Sequence, residues 1–108
     1  MKVQIVGRHF EVSDKMRSHI EKEAEKLEKF FDRIIDCQVL VGAEKRMRTV
    51  EVLVNVHAHT LKATRSGSSV YQALEEAMDR VKVQLKKHHN KLRERRGGGI
   101  KKAAGAAV

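Results

Sequence analysis

Lysines and arginines at helical spacing are the residues in this sequence whose arrangement could bind an anion. On the first predicted helix, five of them fall within about 60° of one another at 100° per residue, namely Lys15, Lys22, Lys26, Lys29 and Arg33. On the second, they occupy almost every direction outside the apolar stripe, namely Arg80, Lys82, Lys86, Lys87, Lys91, Arg93 and Arg96. Like-charged neighbours one turn apart repel each other mildly, so the pattern favours an anionic partner over internal salt bridges.

The positive charge is concentrated at one end of the chain. The 108 residues include 23 Lys and Arg against 14 Asp and Glu, a net charge of +9. Residues 1–79 are balanced, whereas residues 80–108 hold ten basic residues and a single acid, Glu94. Acidic proteins, anionic membranes and nucleic acids are all possible partners of such a positive excess. Alternatively, the basic residues only make the chain more soluble and bind no partner. A nucleic acid is the partner we favour, because phosphate contacts gain affinity from released counterions.

The aromatic residues limit the kind of nucleic acid. Only Phe10, Phe30, Phe31 and Tyr71 are aromatic, and none lies in the middle of a predicted strand, so a sheet that stacks bases is not expected. No zinc-finger spacing or helix-turn-helix pair is present. Recognition of structured RNA by shape and phosphate fits best, although the charges alone do not separate RNA from DNA.

Signals for catalysis or metal binding are weak. The histidine pairs His57/His59 and His88/His89 have no acid or cysteine at ligand spacing nearby, so no metal is expected. Cys37 alternates with apolar residues and is expected to be buried and inert. No set of nucleophile, base and metal converges, so the sequence predicts neither an enzyme nor a cofactor nor a small-molecule substrate.

Alternating strands and helical stripes predict the elements that position these charges. Strands are expected at residues 1–6, 35–41, 50–56 and 60–64, with Ile35, Cys37 and Val39 facing inward, and helices from Ser13 or Asp14 to Phe31 and over residues 69–95. This β-α-β-β-β-α order predicts an α+β fold, with a four-stranded sheet and two helices packed on one face, as in double-stranded-RNA-binding domains. The first two strands flank a helix, so that pair could be parallel.

One domain over residues 1–96 and a flexible Gly/Ala/Lys tail over residues 97–108 are expected. Gly7 is interpreted as an interruption at the end of the first strand. Ser69 and Gln72 fit a capping box for the second helix, whose roughly 40 Å length would carry its last turns beyond the core. No signal peptide or membrane-spanning run is visible, and the single cysteine forms no internal disulfide. A cytoplasmic protein without a membrane partner is therefore expected.

Several segments in order resemble the ribosome hibernation promoting factor and ribosome-associated inhibitor family. They are residues 5–13 (IVGRHFEVS), residues 27–34 (LEKFFDRI), residues 70–75 (VYQALE) and residues 84–88 (QLKKH). The resemblance spans about residues 1–95 and implies the same β-α-β-β-β-α fold. No single motif decides it, but the ordered set is fairly specific.

The resemblance also implies a function. Members bind the small ribosomal subunit between head and body, in the path of mRNA and tRNA, and block translation. Some also promote paired, inactive ribosomes. Contacts to small-subunit rRNA are then expected from Lys22, Lys26, Lys29, Arg80, Lys86, Lys87 and Lys91, with Arg33 and Lys82 added from the basic stripes. The dimerisation domain of the long members is absent from this sequence, so either a helper protein would be needed to pair assembled ribosomes or the chain simply silences single ribosomes.

Two other functions fit the sequence. The first is general binding of structured RNA or of duplexes. In the second, the chain is a protein-interaction module that uses a small apolar patch of Leu40 and Leu53 on the sheet face without helices.

Overall fold

The computed structural model describes the backbone of residues 1–31 and 33–96, and the side chains among them as far as residue 90. Its elements are β1 (Lys2–Arg8), α1 (Asp14–Phe30), β2 (Ile34–Glu44), β3 (Met47–Val56), β4 (His59–Gly67) and α2 (Val70–Arg96). The β-α-β-β-β-α order and the α+β class expected from the sequence are confirmed. The predicted tail, residues 97–108, lies outside the described residues.

The four strands form one sheet in the order β1-β2-β3-β4. β1 and β2 are parallel, since Lys2–Arg8 lie opposite Asp36–Gly42, as a connection through a helix permits. β2 with β3 and β3 with β4 are antiparallel hairpins. Both helices pack on one face of this sheet, which leaves the other face open.

The core is a layer of branched side chains between the sheet and the helices. On β3, Val50, Val52 and Val54 alternate inward and are fully buried, which follows from the two-residue period of a strand. α2 lies over β3 and β4, whereas α1 lies against β1 and β2. The core contains no buried polar or charged residue among those described, so packing of apolar surface holds both helices in place.

Each helix begins at a serine cap. Ser13 Oγ accepts a hydrogen bond of 3.2 Å from the amide of Met16, and Ser69 Oγ accepts one of 3.1 Å from the amide of Gln72. The Gln72 side chain accepts from the amide of Ser68 at 3.2 Å instead of returning to Ser69. The helix starts expected from the sequence are confirmed. The capping box of α2 differs from the expected one in its second hydrogen bond, which Gln72 accepts from the amide of Ser68 and not from that of Ser69.

Element boundaries differ from the expected ones where strands meet turns. β1 continues through Gly7, because its pairing with β2 extends to Arg8. β4 runs to Gly67 rather than residue 64. At the start of β2 a bulge shifts the register between Ile34 and Asp36, so Ile35, expected to face inward, is 58% exposed. The bulge re-aims this one side chain while Cys37 and Val39 keep their inward positions.

Gly7 is required by a close approach of the backbone rather than by a bend. A Cβ atom at this position would meet the carbonyl oxygen of Phe10 at far less than contact distance. We expect Gly7→Ala to lower the free energy of unfolding by about 1–3 kcal/mol, the usual cost of an added methyl group in a filled space, measured by urea denaturation. Arg8→Ala, at the exposed neighbouring position, is the control and should change it by less than about 0.5 kcal/mol. An unchanged midpoint for Gly7→Ala would contradict this account.

Cys37 is buried on β2. Burial, with a smaller contribution from the Asp36 carboxylate, raises the pKa of the thiol to about 11. The native thiol therefore stays protonated near neutral pH, and the sequence expectation of a buried cysteine is confirmed.

We expect Cys37 to resist a thiol-specific reagent at pH 8 in the native protein and to react fully in denaturant, because the thiolate is the reacting species. Because the pKa is raised in the folded protein, the unfolded chain releases the thiol proton at a lower pH than the folded protein does. Stability should consequently fall as pH rises from about 9, the ordinary value, towards about 11. Rapid stoichiometric labelling of the folded protein at pH 8 would be the contrary result.

Candidate nucleic-acid interface

The two helices lie parallel and form a layer with a common starting end. β1, β2 and β4 run in the same direction, and α1 follows β1 while α2 follows β4. The rings of His19 and Tyr71, near the start of each helix, meet edge to face with centroids 5.0 Å apart. α1 has 17 residues and α2 has 27, so α2 continues well beyond the end of α1.

The lysines of α1 lie opposite its buried stripe. Ile20, Ala24 and Leu27 face the core, whereas Lys22, Lys26 and Lys29 are exposed. Residues three or four apart lie on the same side of a helix. Lys22 follows His19 by three residues and Lys26 follows Glu23 by three, and both His19 and Glu23 face α2. The lysines of α1 are therefore on its outer surface, and two of them lean towards α2.

Three acidic residues of α1 lean away from α2, unlike Glu23. Glu28 accepts a hydrogen bond of 2.7 Å from the amino group of Met1, at the β1 edge of the sheet. Glu25 and Glu21 precede it by three and seven residues and share that flank. The carboxylates of this stripe therefore do not cover the lysines.

Arg33 does not belong to α1, contrary to its expected place in the helical stripe. The helix ends at Phe30, and Phe31 caps it in an extended conformation. Arg33 follows in the turn before β2 with a φ of 71°, in the left-handed region that stops a helix. Its exposed side chain is therefore set by the turn and not by the helical period.

The cations of α2 divide between its two flanks. Gln84 donates a hydrogen bond of 3.0 Å to the carbonyl of Lys62 on β4, and Arg80 and Lys87 lie four before and three after it, so they are on the β4 flank. Glu75 faces α1, and Lys82 and Lys86 follow it by seven and eleven residues on that flank. The side chain of Lys91 lies outside the described residues. The described cations of α2 thus all lie on the helix layer, but only Lys82 and Lys86 are on the flank that faces α1.

Most of these charges have no internal partner. Lys26 Nζ lies 3.0 Å from Glu23 Oε2, an exposed pair of the kind that contributes at most about 1 kcal/mol. Within the described residues, no carboxylate oxygen lies within 4.0 Å of the cationic nitrogens of the others, namely Lys22, Lys29, Arg33, Arg80, Lys82, Lys86 and Lys87. Apart from Lys26, these cations therefore form no close ion pair within the described part of the chain, even though both helices also carry carboxylates.

A cleft of about 290 Å³ between the starts of the helices was not foreseen from the sequence. It is lined by His19, Glu23, Tyr71, Gln72 and Glu75. In the sequence, polar and aromatic residues lie four apart on each helix. Only the packing of the two helices brings the residues of one helix next to those of the other. Tyr71 packs edge to face on His19, although 38% of it remains exposed.

The histidine pairs were the remaining candidates for metal ligands. The rings of His59 and His88 meet with centroids 5.0 Å apart, which connects α2 to the first residue of β4. Among the described residues, no group of three His, Cys, Asp or Glu side chains is placed to hold a metal ion. No helix in the described part of the chain is long and apolar enough to cross a membrane.

The open face of the sheet is mostly polar. Leu40 and Leu53 are half-buried diagonal neighbours across β2 and β3. Beside them Lys62 Nζ lies 3.6 Å from Glu51 Oε2, which interrupts the apolar area. The apolar part of this face is therefore interrupted by charged side chains.

Comparison with known proteins agrees with the fold and identifies relatives. The solved structures that resemble this chain include a ribosomal subunit interface protein from Coxiella burnetii, with a TM-score of 0.76, 20% identity and coverage of 83% of this chain and 99% of the other. The N-terminal domain of Protein Y from Thermus thermophilus gives a TM-score of 0.75 at 22% identity, covering 82% of this chain and 99% of that one. These two similarities concern the fold.

Sequence relatives are closer. A ribosome hibernation promoting factor from Azotobacter vinelandii is 33% identical over 98 residues, which are 91% of this chain and 92% of the relative. The protein of that name from Escherichia coli strain K12 is 30% identical over 94 residues, 87% of this chain and 99% of its own. The family model described as "Sigma 54 modulation protein / S30EA ribosomal protein" matches residues 3–93. With a match over nearly all the described residues, the chain belongs to this family.

Proposed function

We propose that this chain is a ribosome hibernation factor that binds the small ribosomal subunit through its helix layer and inhibits translation without catalysing a reaction. The relatives named ribosome hibernation promoting factor support the ribosome as partner. The cations of α1 and α2 that make no close ion pair within the described residues support rRNA as the component that is bound, because each phosphate contact releases counterions.

The observation that carries the proposal is the separation of charge within the helix layer. On α1, Glu21, Glu25 and Glu28 lie on the β1 flank, as the bond between Glu28 and Met1 indicates, whereas Glu23 faces α2 and pairs with Lys26. Lysines remain on the outer surface, and α2 adds four more exposed or half-exposed cations. Cations without a close carboxylate partner among the described residues raise the local concentration of a polyanion and bind it in a salt-dependent way.

The site on the subunit that we propose is the path of mRNA and tRNA. The described part of the chain measures 48 × 26 × 18 Å, and the candidate cations of α1 and α2 lie on its helix side. A slender body of this kind suits a cleft walled by rRNA, where it would exclude mRNA and tRNA by occupying their space. Inhibition would then follow from occupancy alone.

A charge-reversal variant tests the helix layer. We expect Lys86→Glu combined with Lys87→Glu to weaken binding to isolated small subunits on the order of 100-fold at 50 mM salt, with a less negative slope of log affinity against log salt. The same variant should lose inhibition of translation in vitro. Filtration binding at several salt concentrations measures the affinity.

The matched control reverses two charges elsewhere. Lys45→Glu combined with Arg46→Glu changes the exposed turn between β2 and β3, at the end of the sheet opposite to His59 and His88. This variant should retain most of the affinity. Equal loss in both variants would indicate a general charge effect, and no loss in the first would refute binding through α2. An excess of random RNA duplex should not displace the wild type from subunits; ready displacement would favour the general structured-RNA binder.

We also propose that pairing of ribosomes, where it occurs, needs a second protein. Purified chain mixed with purified ribosomes should co-sediment with single 70S particles in a sucrose gradient and produce no faster peak. Because the helix layer is the surface that we propose for the subunit, pairing would have to come from another surface. A peak of ribosome pairs in the presence of the purified chain alone would show that no helper is needed.

A further inference from the structure

Phe30 is the most exposed large apolar side chain of the described residues, at 74%. Single exposed apolar residues are ordinary on protein surfaces, so exposure alone carries no conclusion. The position of this ring is what distinguishes it. Lys22, Lys26 and Phe30 follow one another at intervals of four residues and form one row along α1, with about 6 Å of helix rise between neighbours.

The fold gives Phe30 no internal role. Its neighbour Phe31 packs against the hydrophobic core. The amide of Phe31 also caps the helix, because it donates a hydrogen bond of 2.9 Å to the carbonyl of Leu27. Phe30 lies seven residues after Glu23, which faces α2, so the ring is on the α2-facing side of α1 and close to its end. α2 continues past this point with Lys82 and Lys86 on the facing flank.

We propose that Phe30 stacks on an unpaired nucleobase of the bound RNA while the lysines of its row contact the adjoining phosphates. This inference rests on the proposed function and names one further element of the partner, a nucleotide that is not base-paired. It changes the sequence interpretation in which the aromatic residues offered no platform for bases, because the platform lies at the end of a helix and not on the sheet. An aromatic ring at the end of a cationic row is the combination by which proteins hold single-stranded nucleotides.

A protein partner with an apolar pocket is the competing occupant of this ring. The surroundings favour RNA, because Lys22 and Lys29 have no carboxylate partner in the described structure and Lys26 has only an exposed one. An apolar pocket would accept a leucine in place of the ring, whereas stacking requires a planar π surface.

Four variants test the proposal on isolated small subunits, and their affinities are measured at several salt concentrations beside the wild type. We expect Phe30→Ala and Phe30→Leu to weaken binding about 5- to 150-fold, the range for loss of one stacked base. The slope of log affinity against log salt should stay at the wild-type value, because no phosphate contact is removed. Phe30→Trp should bind at least as tightly as the wild type. Ile35→Ala is the matched control: Ile35 is also exposed, at 58%, but lies on β2 outside the lysine row, and its loss should leave the affinity unchanged.

The Phe30→Trp variant supplies a direct signal, since the sequence contains no tryptophan. Stacking on a base should quench its emission on binding, whereas entry into an apolar protein pocket should shift the emission to shorter wavelength. Unchanged affinity of Phe30→Ala, wild-type affinity of Phe30→Leu, or a blue shift without quenching would each overturn the inference while the proposed function stands. Failure of the wild type to bind subunits in the same titration would overturn both. Thermal unfolding of each variant confirms that the exposed position leaves the fold intact.

Discussion

The burial of two apolar helix stripes on one face of a single sheet is the constraint on which the rest of the molecule depends. The alternating valines of β3 supply the surface, and the stripes of α1 and α2 can leave water only by lying against it. Once they do, every residue on the opposite side of either helix must face solvent in the same layer. The position of the cations is therefore a consequence of hydrophobic packing and not of any attraction between the charges.

The same packing carries an electrostatic cost. Cations of the helix layer that have no carboxylate within 4.0 Å among the described residues repel one another, and each such neighbour pair on a helix is unfavourable by a few tenths of a kcal/mol. The fold tolerates this because the dry core beneath is large by comparison. A partner with closely spaced negative charges removes the repulsion and gains from it, so the energy that weakens the free protein slightly becomes a driving force for association.

Asymmetry within the layer gives the surface a direction. The acidic side of α1 is turned to the β1 edge, where Glu28 contacts the amino group of Met1. The lysine row and Phe30 are turned towards α2. A bound nucleic acid would therefore lie over the two helices rather than around the sheet edge. In the function proposed for this chain, the helix layer would combine general phosphate attraction with a specific place for a base, and the dependence of affinity on salt distinguishes these two kinds of contact.

Local patterns in the sequence determined the order of elements, both serine caps, the alternation that buries Cys37 and Val39, and the surplus of positive charge on α2, since each depends only on nearby residues and their periods. They did not determine the bulge that exposes Ile35, the end of α1 that moves Arg33 into a turn, or the close contact at Gly7. These features arise where separate segments meet in register, and sequence spacing carries no information on that. Which flank of each helix faces the other was likewise decided by the tertiary structure alone, because a helical period fixes the angles between side chains but not the direction in which the packed helix is rotated.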